Sequence, residues 1–344
     1  VSTLADVAKR AGVSVMTVSR VVNNKGTVNE KTRKRVYAAL EELSYRPNLM
    51  AKSLVTRRSN TIAYVMSNIS NPFFANVSNG IEAVCAERGY FRIILDATSE
   101  KGLNDCIRMM IEHQTEGVIF HHLNLDEETV RSLNADGIRV VTIDNERILA
   151  GVPEISSDDF DGGYRAANYL IDRGHTKIAC IHGKISDAAG VTDGEDYIET
   201  FQRNIWRNRT GGFLKSLEEH GLEPALMIEG RGTVKNRSSI SKEDFRRLKN
   251  DPQITAVYCE NDVIARSLLG ECIRYGIRVP EDLAIIGHDG MDPLISYYPR
   301  IASVIQPQHE IGRLAAEMLI NYIESDIVPD NVLTHSEIRE GDTV

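Results

Sequence analysis

The chain has 344 residues, more than one hydrophobic core usually serves, so two or three folding units are expected. Its 42% hydrophobic and 26% charged residues exclude a disordered chain, and no apolar run reaches the roughly 18 residues of a membrane span. The net charge of −9 argues by itself against a nucleic-acid partner, yet residues 1–60 carry 12 Lys/Arg against four Asp/Glu, leaving the rest strongly acidic.

A small cationic head on a large anionic body is the electrostatic footprint of a DNA-binding module joined to something else. The start, Val1-Ser2-Thr3-Leu4-Ala5-Asp6, lacks the basic-then-apolar layout of a secretory signal. Cys85, Cys106, Cys180, Cys259 and Cys272 are scattered and form no C-x-x-C pair. Buried reduced thiols and a cytoplasmic setting are therefore expected, rather than disulfides or zinc.

Thr3 is placed to cap a first helix, with Asp6 completing a capping box. Leu4, Val7, Ala8 and Ala11 give that helix one apolar face, and Gly12 ends it. Ser14 caps a second helix with Val18, Val21 and Val22 inward. A third follows from about Glu30 to Ser44, with Val36, Leu40 and Leu43 inward and Lys31, Arg33, Lys34 and Arg35 outward. Two short helices about a glycine turn predict an all-α helix-turn-helix headpiece over residues 1–46.

In that geometry the second helix enters the major groove of double-stranded DNA N-terminus first. Val15, Met16, Ser19 and Arg20 are then placed to reach base edges. Arg20 can bond guanine in a bidentate manner, whereas Val15 and Met16 can only touch thymine methyls or fill space. Ser14, Thr17, Asn23, Asn24 and the third-helix lysines suit phosphate contacts, which position without reading sequence, and Thr3 joins the DNA-binding set.

Residues 47–60 read as a hinge. Pro47 closes the third helix. Asn48 to Leu54 can form two helical turns, too few to be stable alone in water, but a segment of this kind can be ordered by a partner. From spacing alone a plain linker with an incidental leucine is favoured over a DNA-contacting role for Lys52 and Leu54.

From Thr61 short apolar runs alternate with amphipathic stretches. Strands are predicted at Ile62–Met66, Ile93–Leu95, Val118–Phe120 and Val140–Ile143, and again at Ile178–Ile181, Met227–Ile228, Ala256–Cys259 and Ala284–Ile286. Helices include Phe74–Arg88, Asp161–Arg173, Gly212–His220, Val263–Tyr275 and a last one near Glu310–Glu324. Such alternation predicts an α/β body over 61–344, two doubly wound parallel sheets forming two lobes.

Ligands of such sheets bind outside the C-terminal strand ends, and two facing lobes make a cleft from two such edges. That rule selects Phe73 and Phe74 after the first strand, Asp161 in Asp158-Asp159-Phe160-Asp161, Arg209, Asn261, Asp289 and Gln306. Aromatics beside carboxylates, amides and one arginine suit a sugar ring and its hydroxyls. Other readings stand beside this one: Asp161 and Asn261 as helix caps, Phe74 as core, Arg209 as half of a surface ion pair. His121-His122 is discounted as a metal pair because adjacent strand residues point to opposite faces.

The run Leu4-Ala5-Asp6-Val7-Ala8-Lys9-Arg10-Ala11-Gly12-Val13-Ser14, with Thr17-Val18-Ser19-Arg20-Val21-Val22-Asn23, resembles the headpiece of the lactose-repressor/galactose-repressor (LacI/GalR) family. The likeness continues through Arg46-Pro47-Asn48 and Ala51-Lys52-Ser53-Leu54 and resumes at Asn71-Pro72-Phe73-Phe74, Arg173-Gly174-His175, Asn261-Asp262 and Ile286-Gly287-His288-Asp289. It covers essentially the whole chain. The resemblance implies a headpiece on a two-lobed domain like periplasmic sugar-binding proteins. It also implies a hinge that folds against its dimer mate, and a leucine at Leu54 wedged into the minor groove. Arg209, Asp289 and Phe73 fall on positions that contact effectors across the family, followed by Asp161, Asn261 and Gln306. One departure is the 25 residues between Gly183 and Arg209, longer than expected, which read as an extended loop with Trp206 anchoring the next helix, or as a lid.

No G-x-x-x-x-G-K-[ST], no G-x-G-x-x-G after a strand, no H-E-x-x-H and no G-x-S-x-G occurs, so no cofactor and no enzyme chemistry is expected. The expected protein is a homodimeric transcription regulator, a repressor, on a near-palindromic operator. A small effector, a sugar or sugar derivative, would control it. A nucleobase-type corepressor and an enzyme acting on the cleft ligand are the alternatives.

Overall fold

A computed structural model describes residues 2–22, 27–45, 58–97, 99–123, 125–145, 149–183, 203–230, 240–291 and 296–344. Asn23, Asn24, Lys52, Leu54 and most of the hinge lie outside the described residues, as does 184–202 of the long segment before Arg209. The chain divides into two compact units, Val1–Ser59 and Asn60–Val344.

In the first unit α1 (Leu4–Ala11) begins with the full capping box between Thr3 and Asp6, and ends on Gly12 in the left-handed conformation at φ 63°. The Ser14 hydroxyl accepts from the Thr17 N–H at the start of α2 (Val15–Val22). Asn29 caps α3 (Glu30–Glu42). Val7, Ala8, Ala11, Val18, Val21, Val36 and Ala39 form one small core, the expected inward set in large part. Arg35 is exposed, as expected, and its guanidinium also donates to the carbonyls of Ala11 and Gly12, capping the end of α1.

The second unit contains two six-stranded sheets. Lobe 1 holds β1 (Thr61–Met66), α4 (Pro72–Arg88), β2 (Phe91–Asp96), α5 (Glu100–Glu112), β3 (Gly117–His121), α6 (Glu127–Ala135), β4 (Arg139–Ile143) and β5 (Glu154–Ser157). Lobe 2 holds α7 (Asp159–Ile171), β6 (Ile178–His182), α8 (Arg203–Glu219), β7 (Leu226–Glu229), α9 (Lys242–Asn250), β8 (Ala256–Cys259), α10 (Asp262–Tyr275), β9 (Ala284–Asp289) and β10 (Ala302–Ile305). The chain then returns to lobe 1 with α11 (Gln308–Ser325) and β11 (Val332–Thr334), and ends in lobe 2 with β12 (Glu337–Arg339).

Sheet order is β11-β5-β4-β3-β1-β2 in lobe 1 and β12-β10-β9-β8-β6-β7 in lobe 2. All pairings are parallel except β10 with β12. The eight predicted strands are therefore present, and four further ones complete the sheets. Apolar clusters cover both faces of each sheet, which is why the central strands read as continuous Val/Ile/Ala runs. The last helix does pack back on a lobe, against α4 and the strands of lobe 1.

Two helix crossings, one per lobe, are unusually tight. A Cβ on Gly312 of α11 would stand 1.9 Å from the Val77 carbonyl of α4, and one on Gly80 would stand 2.0 Å from the His309 carbonyl. In lobe 2, a Cβ on Gly212 of α8 would meet the Phe160 carbonyl at 1.9 Å, and one on Gly163 of α7 the Arg209 carbonyl at 2.0 Å. Gly211-Gly212 is thus no helix start, as the sequence suggested, but a notch in the middle of a longer helix. Its bare backbone brings Arg209 down onto α7.

Candidate functional site

At the start of α2, Val15 and Met16 are 47% and 65% exposed although both are apolar. An exposed pair there is unexplained by the head's own core and suits contact with base methyl groups. Arg20 is exposed on the same short helix, and Lys31 and Lys34 are exposed on α3. Ser14 and Thr17 are tied to each other through their hydroxyls at 2.9 Å, and Thr3 is held by Asp6.

In the body a narrow cavity opens between the C-terminal edges of the two sheets. Lobe 1 contributes Asn71, Phe73 and His122, and lobe 2 contributes Ile205, Trp206, Arg209, Asn261, Asp289 and Met291. Of the seven residues expected to hold an effector, Phe73, Arg209, Asn261 and Asp289 line it. Gln306 lies just behind: its side-chain amide donates to Asp159 at 3.2 Å, and its carbonyl accepts from the Ser157 hydroxyl at 3.5 Å.

Phe74 and Asp161 do not reach the cavity. Phe74 follows Phe73 by one helical step and turns inward, 1% exposed, edge-on to His121 at 4.8 Å. Asp158 caps α7, so Asp159 and Asp161 stand two steps apart, about 200° around the axis, on opposite sides of the helix. Asp161 pairs outward with Arg165, and Asp159 takes the inward place. Asn261 caps α10 through the Ile264 N–H and also lines the cavity.

Arg209 is the centre of the site. It is 4% exposed, its guanidinium donating to Asp159 and Asp289 at 2.8 Å each and to the Glu260 carbonyl at 2.5 Å. A buried guanidinium with two carboxylates and a carbonyl keeps its charge, so its pKa is pushed up. Burial outweighs Arg209 at the other end of the bond and raises the Asp159 carboxyl to about 6. Asp289 sits at φ 95°, and its backbone carbonyl accepts from Gln308, which also accepts from Asn76 of lobe 1. Gln308 thereby ties the Asp289 turn to the opposite lobe. Asp262 is wholly buried and accepts from the Ser303 hydroxyl and the Met291 N–H, fixing the turn that carries Met291.

Trp206 belongs to α8 itself and lies flat on Gly183, where a Cβ would be 1.9 Å from the indole. By sequence it precedes that helix, since the glycine pair reads as a helix start. His122, Asp159 and Gln308 were likewise not singled out as effector contacts. Asp159 had a signal, since it follows the N-cap at a strand edge, whereas nothing local marked Gln308. A second trio, Asp158, Asp161 and His335, comes together on the lobe-2 side, but its carboxylates already serve as cap and ion-pair partner.

Glu260 sits behind Arg209, 0% exposed, one carboxylate oxygen against the Thr210 hydroxyl and the other accepting from the Gly183 N–H at 3.1 Å. Burial raises its carboxyl from 4.5 to about 8. Folding therefore takes up a proton. The stabilising contribution is full below about 4.5 and is lost progressively as pH rises to about 8. Glu260→Gln keeps both hydrogen bonds without titrating. Its melting temperature is expected to depend less on pH than the parent's and to exceed it near pH ~9. Superimposable melting profiles would remove Glu260 as the titrating group.

Known proteins place the chain. Residues 3–48 match the family described as bacterial regulatory proteins, lacI family, and residues 167–344 match the periplasmic binding protein-like domain. The HTH-type transcriptional repressor PurR of Vibrio atlanticus (strain LGP32) is 32% identical over 349 residues, covering 100% of this chain and 98% of that protein. The HTH-type transcriptional regulator DegA of Bacillus subtilis (strain 168) is 33% identical over 317 residues, 90% of this chain and 88% of DegA. Among solved structures, the lac repressor dimer bound to operator and the anti-inducer ONPF superposes with a TM-score of 0.81 at 23% identity, covering 99% of this chain and 98% of that one. The complex of the transcriptional regulator CelR with cellobiose superposes at 0.67 with 25% identity over the full length of both. No described helix is long and apolar enough to cross a membrane. With its capped helix-turn-helix, its glycine-notched lobes and these relatives, the chain belongs to the LacI family of bacterial regulatory proteins and is a DNA-binding transcriptional regulator.

Proposed function

We propose that the protein is a homodimeric repressor of a near-palindromic operator, acting in the cytoplasm and controlled by a small neutral polyhydroxyl effector, a sugar or sugar derivative, without turning it over. The observation that carries the effector class is the charge of the cleft. Arg209 is already neutralised by Asp159 and Asp289, and Glu260 behind it keeps its proton at neutral pH, so the described residues of the cleft leave no cation free for an anionic ligand. A phosphorylated or carboxylate ligand would add a further anion to a buried acidic site, whereas hydroxyls can donate to the carboxylates and accept from Arg209 and Asn261. Phe73 and Trp206 add flat apolar walls.

Arg209, Asp289, Asn261 and Phe73 are the proposed contacts, with Gln306 supporting Asp159. In the headpiece Val15, Met16, Ser19 and Arg20 read bases, while Thr3, Ser14, Thr17, Asn23 and Lys52 position the backbone and Leu54 wedges the minor groove. An effector acts only through different affinities for the DNA-competent and incompetent states. Three crossings between the lobes, after β5, after β10 and after β11, meet beside the cleft, so lobe closure is felt where the chain changes lobe.

A thermal-shift screen of neutral sugars, sugar phosphates and nucleobases, repeated with operator DNA, tests this reading, because a true ligand stabilises by mass action. Neutral sugars are expected to score; stabilisation by the nucleobases alone would replace this effector class. Asp289→Asn keeps the side-chain size and a residue type that tolerates positive φ. It is expected to weaken the effector at least ~10-fold while operator binding stays near the parent's, as one charge-assisted hydrogen bond is lost. An unchanged effector titration would remove Asp289 from the contact set.

A further inference from the structure

One group of side chains on the lobe-1 wall of the cleft has no chemical role in the reading above. Strands β3 and β4 end side by side, His121 in register with Ile143, and the residue after each is left-handed: His122 at φ 52° and Asp144 at φ 46°. Neither is glycine, so the backbone is strained at two neighbouring strand ends. The left-handed step at His122 cancels the strand alternation that would have sent the two imidazoles to opposite faces. Their ring centroids are instead 4.5 Å apart. A ring nitrogen of His121, one of His122 and a carboxylate oxygen of Asp144 all lie within 4.8 Å of one another.

We propose that His121, His122 and Asp144 form a binding site for a divalent transition metal of the zinc type, with its open coordination position facing the cleft. His122 Nε2 stands 3.4 Å from Asp144 Oδ2. Two ligands each about 2.1 Å from a tetrahedral zinc are about 3.4 Å apart, so this pair already has the spacing of neighbours in a coordination sphere. His121 supplies the independent observation. Its ring is 0% exposed, Nδ1 is engaged by the Tyr64 hydroxyl at 2.6 Å, and Nε2 has no hydrogen-bond partner among the described residues.

The outer partners are those a metal site needs. Tyr64 fixes the His121 ring, and Asp144 accepts from the Ser157 N–H at 2.6 Å and from its hydroxyl at 2.9 Å. Two imidazoles and one carboxylate select zinc, cobalt or nickel over magnesium or calcium, which take oxygen ligands. His122 lines the cavity and stacks on Phe73 at 17° between planes, so the fourth position lies toward the space where a ligand hydroxyl would come.

Lobe 2 provides a contrast. His288 has the same arrangement, Nδ1 held by the Tyr258 hydroxyl at 2.8 Å and Nε2 without a partner among the described residues, but its ring packs over Gly162 and no described trio of metal donors includes it. The tyrosine–histidine pair is therefore a shared feature of the lobes, and the second imidazole with its carboxylate is particular to lobe 1.

The test is cobalt(II) titration of the full-length protein, stripped with chelator, without DNA or effector, so that its outcome is independent of the effector reading. The expected result is one cobalt per chain with the visible bands of a tetrahedral N/O site, displaced by zinc. His122→Ala and Asp144→Asn, which leave the buried His121–Tyr64 pair intact, are each expected to weaken binding by at least ~10-fold. His113→Ala, at an exposed histidine, serves as the control and is expected to bind as the parent does. No bands, bands with thiolate charge transfer, or an affinity equal to the parent's in His122→Ala and Asp144→Asn would each overturn the site.

Discussion

Gly212→Ala and Gly312→Ala are expected to be among the most damaging single methyl groups that can be added to the described residues. Each Cβ would lie 1.9 Å from a backbone carbonyl of the facing helix, Phe160 for Gly212 and Val77 for Gly312. A side chain in the way could swing aside; a helix backbone can yield only by moving the whole helix. Overpacking of a close-packed core costs about 1–3 kcal/mol and more where nothing gives, so a loss of about 3 kcal/mol or more is expected for each. Gly270 in α10 provides the comparison: it is exposed, and a Cβ there meets nothing within 4 Å. Gly270→Ala should stabilise by about 0.5–1 kcal/mol, because alanine loses less backbone entropy in a helix. Urea unfolding of the three variants decides the matter. Similar midpoints for all three would mean that the helix crossings are not the tight contacts described. Gly212→Ala should also blunt the effector response, since Arg209 sits one helical turn before it on α8.

These notches explain what the sequence showed and what it hid. The headpiece was legible in detail because its determinants are local: the capping box at Thr3, the left-handed Gly12 and the Ser14 cap are each satisfied by residues a few positions away. The central strands were legible because both sheet faces are covered, so their apolar runs are unbroken. Edge strands β11 and β12, with three residues each and partly exposed, carry no such pattern. The Gly211-Gly212 pair was read as a helix boundary because glycine is costly inside a helix. Only the facing carbonyl of Phe160, 52 residues before Gly212 and beyond any local window, reveals why it is there.

The site was legible to the same degree and for the same reason. Strand-end logic found Arg209, Asp289 and Asn261, which the topology brings to one edge. It chose Asp161 over Asp159 because the helix start was placed two residues late, and two residues reverse the face. It dismissed His121-His122 by assuming regular alternation, which the positive φ at His122 suspends. Gln308, bonded to lobe 1 through Asn76 and to the Asp289 turn of lobe 2, depends on a contact 232 residues apart.

Arg209→Ala is expected to lose both the effector response and about 3–5 kcal/mol of stability, the usual cost of removing one member of a buried ion pair. The guanidinium is the only cation bonded to Asp159 and Asp289 among the described residues, and without it two carboxylates remain in a closed site. The loss has a predictable dependence on pH. In the parent the Asp159 carboxyl stands at about 6, above its ordinary 3.8, so its contribution is full below 3.8 and is lost as pH rises through about 6. Removing Arg209 takes away the one cation that holds that value down, so the variant's Asp159 keeps its proton to higher pH. Ionising it at neutral pH then costs more. The deficit of Arg209→Ala against the parent should accordingly be largest near pH ~8 and shrink toward pH ~5, where the carboxyl is protonated in both folded proteins. Adding Asp159→Asn to Arg209→Ala should recover part of the loss near pH ~8, because one of the stranded charges is gone. Chemical unfolding of the parent, single and double variants at the two pH values measures all of this. A deficit that is constant with pH, or a double variant no more stable than Arg209→Ala, would show that Arg209 holds the lobe by packing and not by balancing buried charge.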